Sequence, residues 1–377
     1  MNSIKSFIKK EIVLSVSFVL ASLSCIFVKP DILYVDYIDF RTLCILLALM
    51  LTMAGFQQQG VFLQIGKNLA GRMHSMRGVS IILIALCFFS SMFITNDVAL
   101  LTFVPFSIIT LSISGQQKLF IDVIVLETVA ANLGSMLTPL GNPQNLYLYS
   151  LSGMDLTEFI MLMLPYSIAA GILLIIFAVF MVKPEPASIQ EAGDFSASKQ
   201  RNLLIIMYTL TFLMSLLVVI RVLPYQAGLL AVLLPVLLFD RGILKKPDYS
   251  LLFTFIFLFI FIGNIKRIPF LSELLKELVK LNETGISILL SQFISNVPAA
   301  ILCSGFTENI PNLIVGTNLG GLGTLIASMA SLISFKQYCT TENPDAKRYL
   351  LRFTAVNVIF LIAMVGILYI QKSLSFN

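Results

Sequence analysis

Charge is scarce in this chain: 12% of its 377 residues are Asp, Glu, Lys or Arg, against 58% hydrophobic. That balance and a mean hydropathy of +0.93 lie outside the range of soluble globular domains and mark an integral membrane protein. Histidine is limited to His74, which reads as a surface residue, and without an HExxH pair a zinc hydrolase has no basis. The five cysteines, Cys25, Cys44, Cys87, Cys303 and Cys339, lack CxxC spacing and read as small core hydrophobes, with no disulfide framework or metal cluster. A P-loop lysine signature is also missing, which argues against an ATP-driven pump. No nucleophile–base pair stands at recognisable spacing, so an intramembrane enzyme is an unsupported alternative and no catalytic residue is assigned. Long polar stretches are missing too; the longest, 183–201, reads as an exposed linker.

The chain is instead built from apolar runs near 12–28, 41–62, 119–150, 158–182, 202–222, 224–239, 250–265, 311–335 and 353–371, each long enough, or nearly so, for a membrane span of about 20 residues. A basic start (Lys5, Lys9, Lys10) before the first run has the form of a signal peptide, but the run also completes a repeat and is read as a helix. The net charge of +5 is spread over short loops and implies no nucleic-acid partner. With the N-terminus cytoplasmic, 17 of the 25 Lys and Arg residues fall on the inner face, as the positive-inside rule expects. The cluster at 266–280 falls on the outer face.

A small-polar signature occurs twice, 200 residues apart: Ser91, Phe93, Ile94, Thr95, Asn96, Ala99, Phe106, and Ser291, Phe293, Ile294, Ser295, Asn296, Ala299, Phe306. Each copy interrupts apolar sequence too short to cross a bilayer. Residues 79–94, for example, make roughly 24 Å of helix against a hydrocarbon core of about 30 Å. The spacing predicts re-entrant hairpins over 79–114 and 284–306, with Thr95-Asn96-Asp97 and Ser295-Asn296-Val297-Pro298 at their tips. Helix ends placed there leave backbone groups that protein, water or ligand must meet. A second shared element follows each hairpin: Asn132-Leu133-Gly134 with Thr138, and Asn318-Leu319-Gly320 with Thr324. Gly134 to Pro143 hold two prolines and two glycines, which predicts a broken helix. Amphipathic stretches at 64–78 and 266–283 precede the hairpins and read as interfacial helices.

The expected fold is therefore an all-α polytopic membrane protein with two inverted-topology repeats, each holding a re-entrant helical hairpin and a broken transmembrane helix. Residues 1–182 form the first repeat, 183–201 a cytoplasmic linker, and 202–377 a connecting helix and the second repeat. Paired interruptions in corresponding positions point to a secondary transporter with its site near the midplane.

The motifs TNDVALLTFVPF, NLGSMLTPLGNPQN, SNVPAAI and NLGG resemble the ion transporter superfamily, which includes citrate-transporter-like, arsenite-permease-like and dicarboxylate/sodium symporter families. The resemblance runs from about 40 to 371 and implies inverted repeats, a homodimer in the cell membrane and elevator-type alternating access. It implies one half-site from Thr95, Asn96, Asn132, Gly134 and Asn142, and another from Ser295, Asn296, Asn318 and Gly320, with Thr138 and Thr324 beside them. Sodium at Asn96, Asp97, Asn132 and Asn142 is implied as a coupling ion, with protons the other candidate and no further cofactor. The tips depart from the dicarboxylate pattern at Asp97 and Val297; an Asn-Asp tip is nearer the arsenite-permease-like branch.

Asp97 carries the charge between 79 and 117. An intramembrane carboxylate suggests function, as a sodium ligand or protonation site, while the bland alternative is an N-cap for a half-helix beginning near Val98. Glu127 reads equally as a proton relay or a packing group. Asn132, Asn142, Gln144 and Asn145 gather at one break and read as ion ligands over mere satisfiers of freed backbone; Gln57, Gln58 and Gln59, near the end of an apolar helix, read either as facing the path or, preferred, as a bland interface position. The expectation is a carrier of a small anion, citrate-like, dicarboxylate-like or a metalloid oxyanion, coupled to sodium or protons. Sodium/proton exchange through Asp97 is the alternative.

Overall fold

The structure, a computed structural model, describes residues 11–70, 73, 75–185 and 199–375. Lys5, Lys9, Lys10, His74 and most of the 183–201 linker lie outside the described residues. The chain is all-α. Apart from the single turn Leu33–Asp36 and short 3-10 segments, its helices are α1 Ile12–Phe27, α2 Phe40–Gln58, α3 Val61–Ala70, α4 Met76–Ser90, α5 Asn96–Ile113, α6 Phe120–Gly134, α7 Pro143–Ser152, α8 Leu156–Met181 and α9 Lys199–Val219. They continue with α10 Tyr225–Phe239, α11 Tyr249–Lys266, α12 Pro269–Leu281, α13 Glu283–Ile294, α14 Asn296–Ser304, α15 Ile310–Leu319, α16 Met329–Tyr338 and α17 Ala346–Ser375.

Local chemistry sets many of these boundaries. Asp39, Ser75, Asn142, Asp248 and Asn282 each accept a hydrogen bond from a first-turn amide of α2, α4, α7, α11 and α13, satisfying donors the helix cannot. Asp155 and Glu158 form a reciprocal capping box on α8. Pro143, Pro269 and Ile310-Pro311 open α7, α12 and α15, where a missing N–H costs little.

Among the described residues seven helices are long and apolar enough to cross a membrane: α2, α5, α6 with its flanking 3-10 turns, α8, α9, α11 and α17. This is a multi-pass membrane protein. Large apolar side chains such as Ile168, Ile172 and Ile175 of α8, Ile206 and Leu210 of α9, and Ile359 and Ile362 of α17 face outward, as lipid-facing surfaces do. The inclusion of α5 departs from the expected short half-helix. Asn96 and Asp97 join its first turn, giving 18 residues or about 27 Å, whereas the arms of the second hairpin, α13 and α14, have only 12 and 9.

Both interruptions of the long helices are present. After α6 the chain makes the turn Ser135–Leu137, becomes extended at Thr138 and resumes as α7; after α15 it leaves helix until α16. The packing is reciprocal. The arms α4 and α5 pack on α6, and α13 and α14 pack on α15; α5 meets α16, while α14 meets α7. Around this centre α1 packs along α11 and α2 along α10 and α9. Close approach relies on small residues: a Cβ on Gly55 of α2 would lie 2.2 Å from the Tyr208 ring of α9, contact of the kind that drives helix association in lipid.

Candidate functional site

The two tips are anchored by the same bonds. The Asn96 N–H donates to the Gly141 carbonyl at 3.0 Å, and the Asn296 N–H donates to the Ala327 carbonyl at 3.0 Å. Thr138 Oγ1 donates to the Met92 carbonyl, and Thr324 Oγ1 donates to the Gln292 carbonyl at 2.9 Å. Each tip thus rests on the broken segment of its own half, which meets backbone groups that hydrocarbon leaves bare. The glycines of the shared element sit at close approaches. A Cβ on Gly134 would fall 2.0 Å from the Phe88 carbonyl and 2.5 Å from Ser91 Oγ, and one on Gly320 would fall 2.6 Å from Ser291 Oγ. The spacing of Ser91 to Gly134 and of Ser291 to Gly320 therefore records two matching helix crossings.

The tips differ in backbone. Thr95 occupies the N-cap position of α5 with φ −28° and ψ 150°, but Ser295 sits at φ 72° and ψ 155°, a region that L-residues with side chains rarely adopt. Capping does not fall to Asp97. The N-cap position belongs to Thr95, whose side chain makes no capping bond, and Asp97 lies inside the first turn with its N–H donating to Asn96 Oδ1 at 3.0 Å. Its carboxylate is free to face outward.

Behind the tips, amides stitch the two halves together. Asn132 Oδ1 accepts from Asn96 Nδ2 at 3.1 Å and from Ser328 Oγ at 2.9 Å, and Asn132 Nδ2 donates to Ser331 Oγ at 3.3 Å. In the opposite sense, Asn318 Oδ1 accepts from Asn142 Nδ2 at 3.1 Å, and Asn318 Nδ2 donates to Asn145 Oδ1 at 2.6 Å. All these residues are buried, so each unmade bond would be expensive. Asn142 also caps α7, and Asn145 Nδ2 reaches the Ser135 and Thr138 carbonyls at 3.3 Å. The amides gathered at the first break thus hold its freed backbone, apart from Gln144, whose Nε2 is buried without a partner.

A cavity of about 390 Å³ opens in front of the first tip. Thr95, Asp97 and Asn142 line it, together with Gln57 and Gln58 of α2 and, from the turn before α11, Lys246 and Asp248. Lys246 and Asp248 are exposed and lie at its mouth. Gln57 and Gln58 are cavity residues and not the bland interface expected; Gln59 does not line it, and its carbonyl accepts from Arg201 Nε. Asn96, Asn132, Gly134 and Thr138 lie behind this surface. Ser295, Asn296, Asn318, Gly320 and Thr324 of the second half do not border the cavity either.

Three groups of contributors escaped the sequence reading. Gln292 Nε2 donates to the Gly320 and Leu322 carbonyls at 3.0 and 2.9 Å while its Oε1 accepts from the Thr324 N–H at 3.0 Å, a three-bond latch on the second break. Ser328 and Ser331 answer Asn132, in the places that Asn142 and Asn145 take opposite Asn318. Lys246 and Asp248 reach the cavity from a loop some 150 residues beyond the first tip. A glutamine one turn ahead of the Ser-Asn tip was the available signal for the first; local sequence held none for the others.

A multi-pass helical bundle with two broken helices, two hairpin tips on one buried polar centre and a cavity reaching one tip defines a membrane transporter. Residues 7–310 match the citrate transporter family, and the chain belongs to it. An uncharacterized transporter of Methanocaldococcus jannaschii is 35% identical over 289 residues, 76% of this chain and 78% of its own length. The inner membrane protein YbiR of Escherichia coli is 30% identical over 303 residues, 79% of this chain and 80% of its own. A 46 kDa membrane protein of Mycobacterium leprae is 23% identical over 338 residues.

Proposed function

We propose that this chain is a secondary active carrier of a small anion, either a citrate-like carboxylate or a metalloid oxyanion, driven by a sodium or proton gradient. The observation that carries the reading is the cavity that runs from Lys246 to Thr95, Asp97 and Asn142 at the first tip. Lys246 supplies attraction for an anion at the mouth, and Thr95 and Asn142 supply short polar groups at the end. Asp97 and Asp248 oppose a bare polyanion, so a sodium ion or proton at Asp97 is the neutralising partner and the coupling element. The family's name, citrate transporter, supports the carboxylate class. In this reading Asn96, Asn132, Gly134 and Thr138 position the first half-site. Ser295, Asn296, Asn318, Gly320 and Thr324 form the second, which meets solute when the cavity opens toward the other face.

Two inverted repeats with elevator-type exchange are part of the proposal, supported by the matching tip anchors and reciprocal packing. So are a cytoplasmic N-terminus and a homodimer. Sodium/proton exchange is the second reading, favoured by two carboxylates lining the cavity. Uptake of radiolabelled citrate and succinate into proteoliposomes, under sodium and proton gradients applied separately, tests the first. Gradient-driven uptake that disappears in Asn96→Ala is the expected result. Failure of both gradients sinks the organic-anion reading and leaves arsenite uptake and cation exchange, the latter abolished by Asp97→Asn.

A further inference from the structure

Glu127 takes no part in the cavity. Among the described residues it is the carboxyl with no solvent exposure at all, held on α6 where α4, α5, α16 and α17 converge. Its Oε1 is hydrogen-bonded to Ser107 of α5, and its Oε2 has no partner. No ion pair among the described residues reaches it. The titratable groups facing it are the Cys87 thiol of α4 and the Tyr349 phenol of α17; the hairpin arm α5 offers Ser107, and α8, α15 and α16 present no charge to it. Beside it, Thr128 Oγ1 donates to Ser334 Oγ at 2.7 Å, and Ser334 Oγ lies 3.3 Å from the Tyr349 hydroxyl.

An ionised carboxylate in such a place loses its hydration and recovers one hydrogen bond, which does not balance. A protonated one donates from Oε1 to Ser107 Oγ and leaves Oε2 as a carbonyl acceptor, the less costly group to leave unpaired. We propose that Glu127 is a proton-binding site, distinct from the cavity, whose occupancy holds the outgoing arm of the first hairpin against α6. Ser107 and the tip residues Asn96 and Asp97 lie on one helix. Loss of the proton leaves a bare charge between α5 and α6, and it is relieved when the arm moves enough to admit water. The hydroxyls of Thr128, Ser334 and Tyr349 supply polar groups next to the site on its other side. That such movement belongs to a transport cycle rests on the carrier reading above; the proton itself does not.

The test uses the full chain in lipid nanodiscs and needs no solute. Infrared spectra at about pH 7 are expected to contain a protonated-carboxyl band that Glu127→Gln lacks and Asp97→Asn keeps. In a second measurement, Cys25, Cys44 and Cys339 are replaced by serine and the tip carries Thr95→Cys. Maleimide labelling of that cysteine rises with its thiolate fraction in any background, so the readout is the ratio of its rate to the rate of the same cysteine with Glu127→Gln added, expected to change several-fold as the pH rises and the band disappears. Identical carboxyl bands in the native and Glu127→Gln proteins, or identical pH profiles of labelling, overturn the proposal. Failure to transport any solute sinks the carrier reading without touching either readout.

Discussion

Ser295 carries the strained residue of the second tip. Its backbone occupies a region costing about 1–3 kcal/mol for a residue with a Cβ, and its hydroxyl makes only 3.5 Å contacts with Asn296 Oδ1 and the Ala327 carbonyl. Ser295→Gly removes that strain and adds about 0.4–1 kcal/mol of unfolded-chain entropy, so a net gain of about 1 kcal/mol is expected, seen as a higher Tm in detergent. A lower Tm would mean that the hydroxyl contributes more than its geometry suggests. That this position matters was legible from Ser-Asn matching Thr-Asn; that one tip is strained and the other is not was invisible, because φ at a tip is set by where the two helices are anchored. Asp97 shows the same limit. An Asp next to a helix start reads as a cap, but with the Asn96 N–H anchored to the Gly141 carbonyl the helix starts two residues earlier, at Asn96 rather than Val98, and Asp97 lines the cavity.

The helix pairs and breaks were readable as elements because short polar residues, glycine and proline punctuate the apolar runs, whereas the full span-length of α5 was not, since Asn96 and Asp97 join its first turn. What fastens the pairs and breaks was not readable either, since Gln292 acts on carbonyls some 30 residues away. In Gln292→Leu the second break loses three hydrogen bonds, and faster hydrogen exchange is expected at the Thr324 amide and its neighbours, with 135–142 unaffected. Equal change at both breaks would refute a local latch. At the surface, the turn before α6 is tied to the end of the first half by Lys118, whose Nζ lies 2.9 Å from Glu185 Oε1. Hydrogen bonds from Lys118 and then Gln116 hold the Glu185 carboxyl below its usual range. A group depressed on folding stabilises above its unfolded value and ceases to do so as pH falls through the folded one. The Tm difference between the native protein and Glu185→Gln is therefore expected to be small at neutral pH and to vanish below the glutamate range; a difference that grows in acid would reverse the sign.

For the molecule as a whole, the topology proposed above puts Lys245 and Lys276, both exposed, on opposite faces. Single cysteines there are expected to react with a membrane-impermeant maleimide from opposite sides, Lys276→Cys from outside intact cells; labelling of both from one side would undo the topology. The cross-linked amides have a mechanical consequence. Asn132 is fastened to Ser328 and Ser331 of the far half, Asn318 to Asn142 and Asn145 of the near one, and each tip to its own break. Tips and breaks are thereby riveted into one carriage, and a solute seated on it cannot be passed hand to hand from one tip to the other. In the elevator-type exchange proposed above, whatever leaves by the second face travels with both tips.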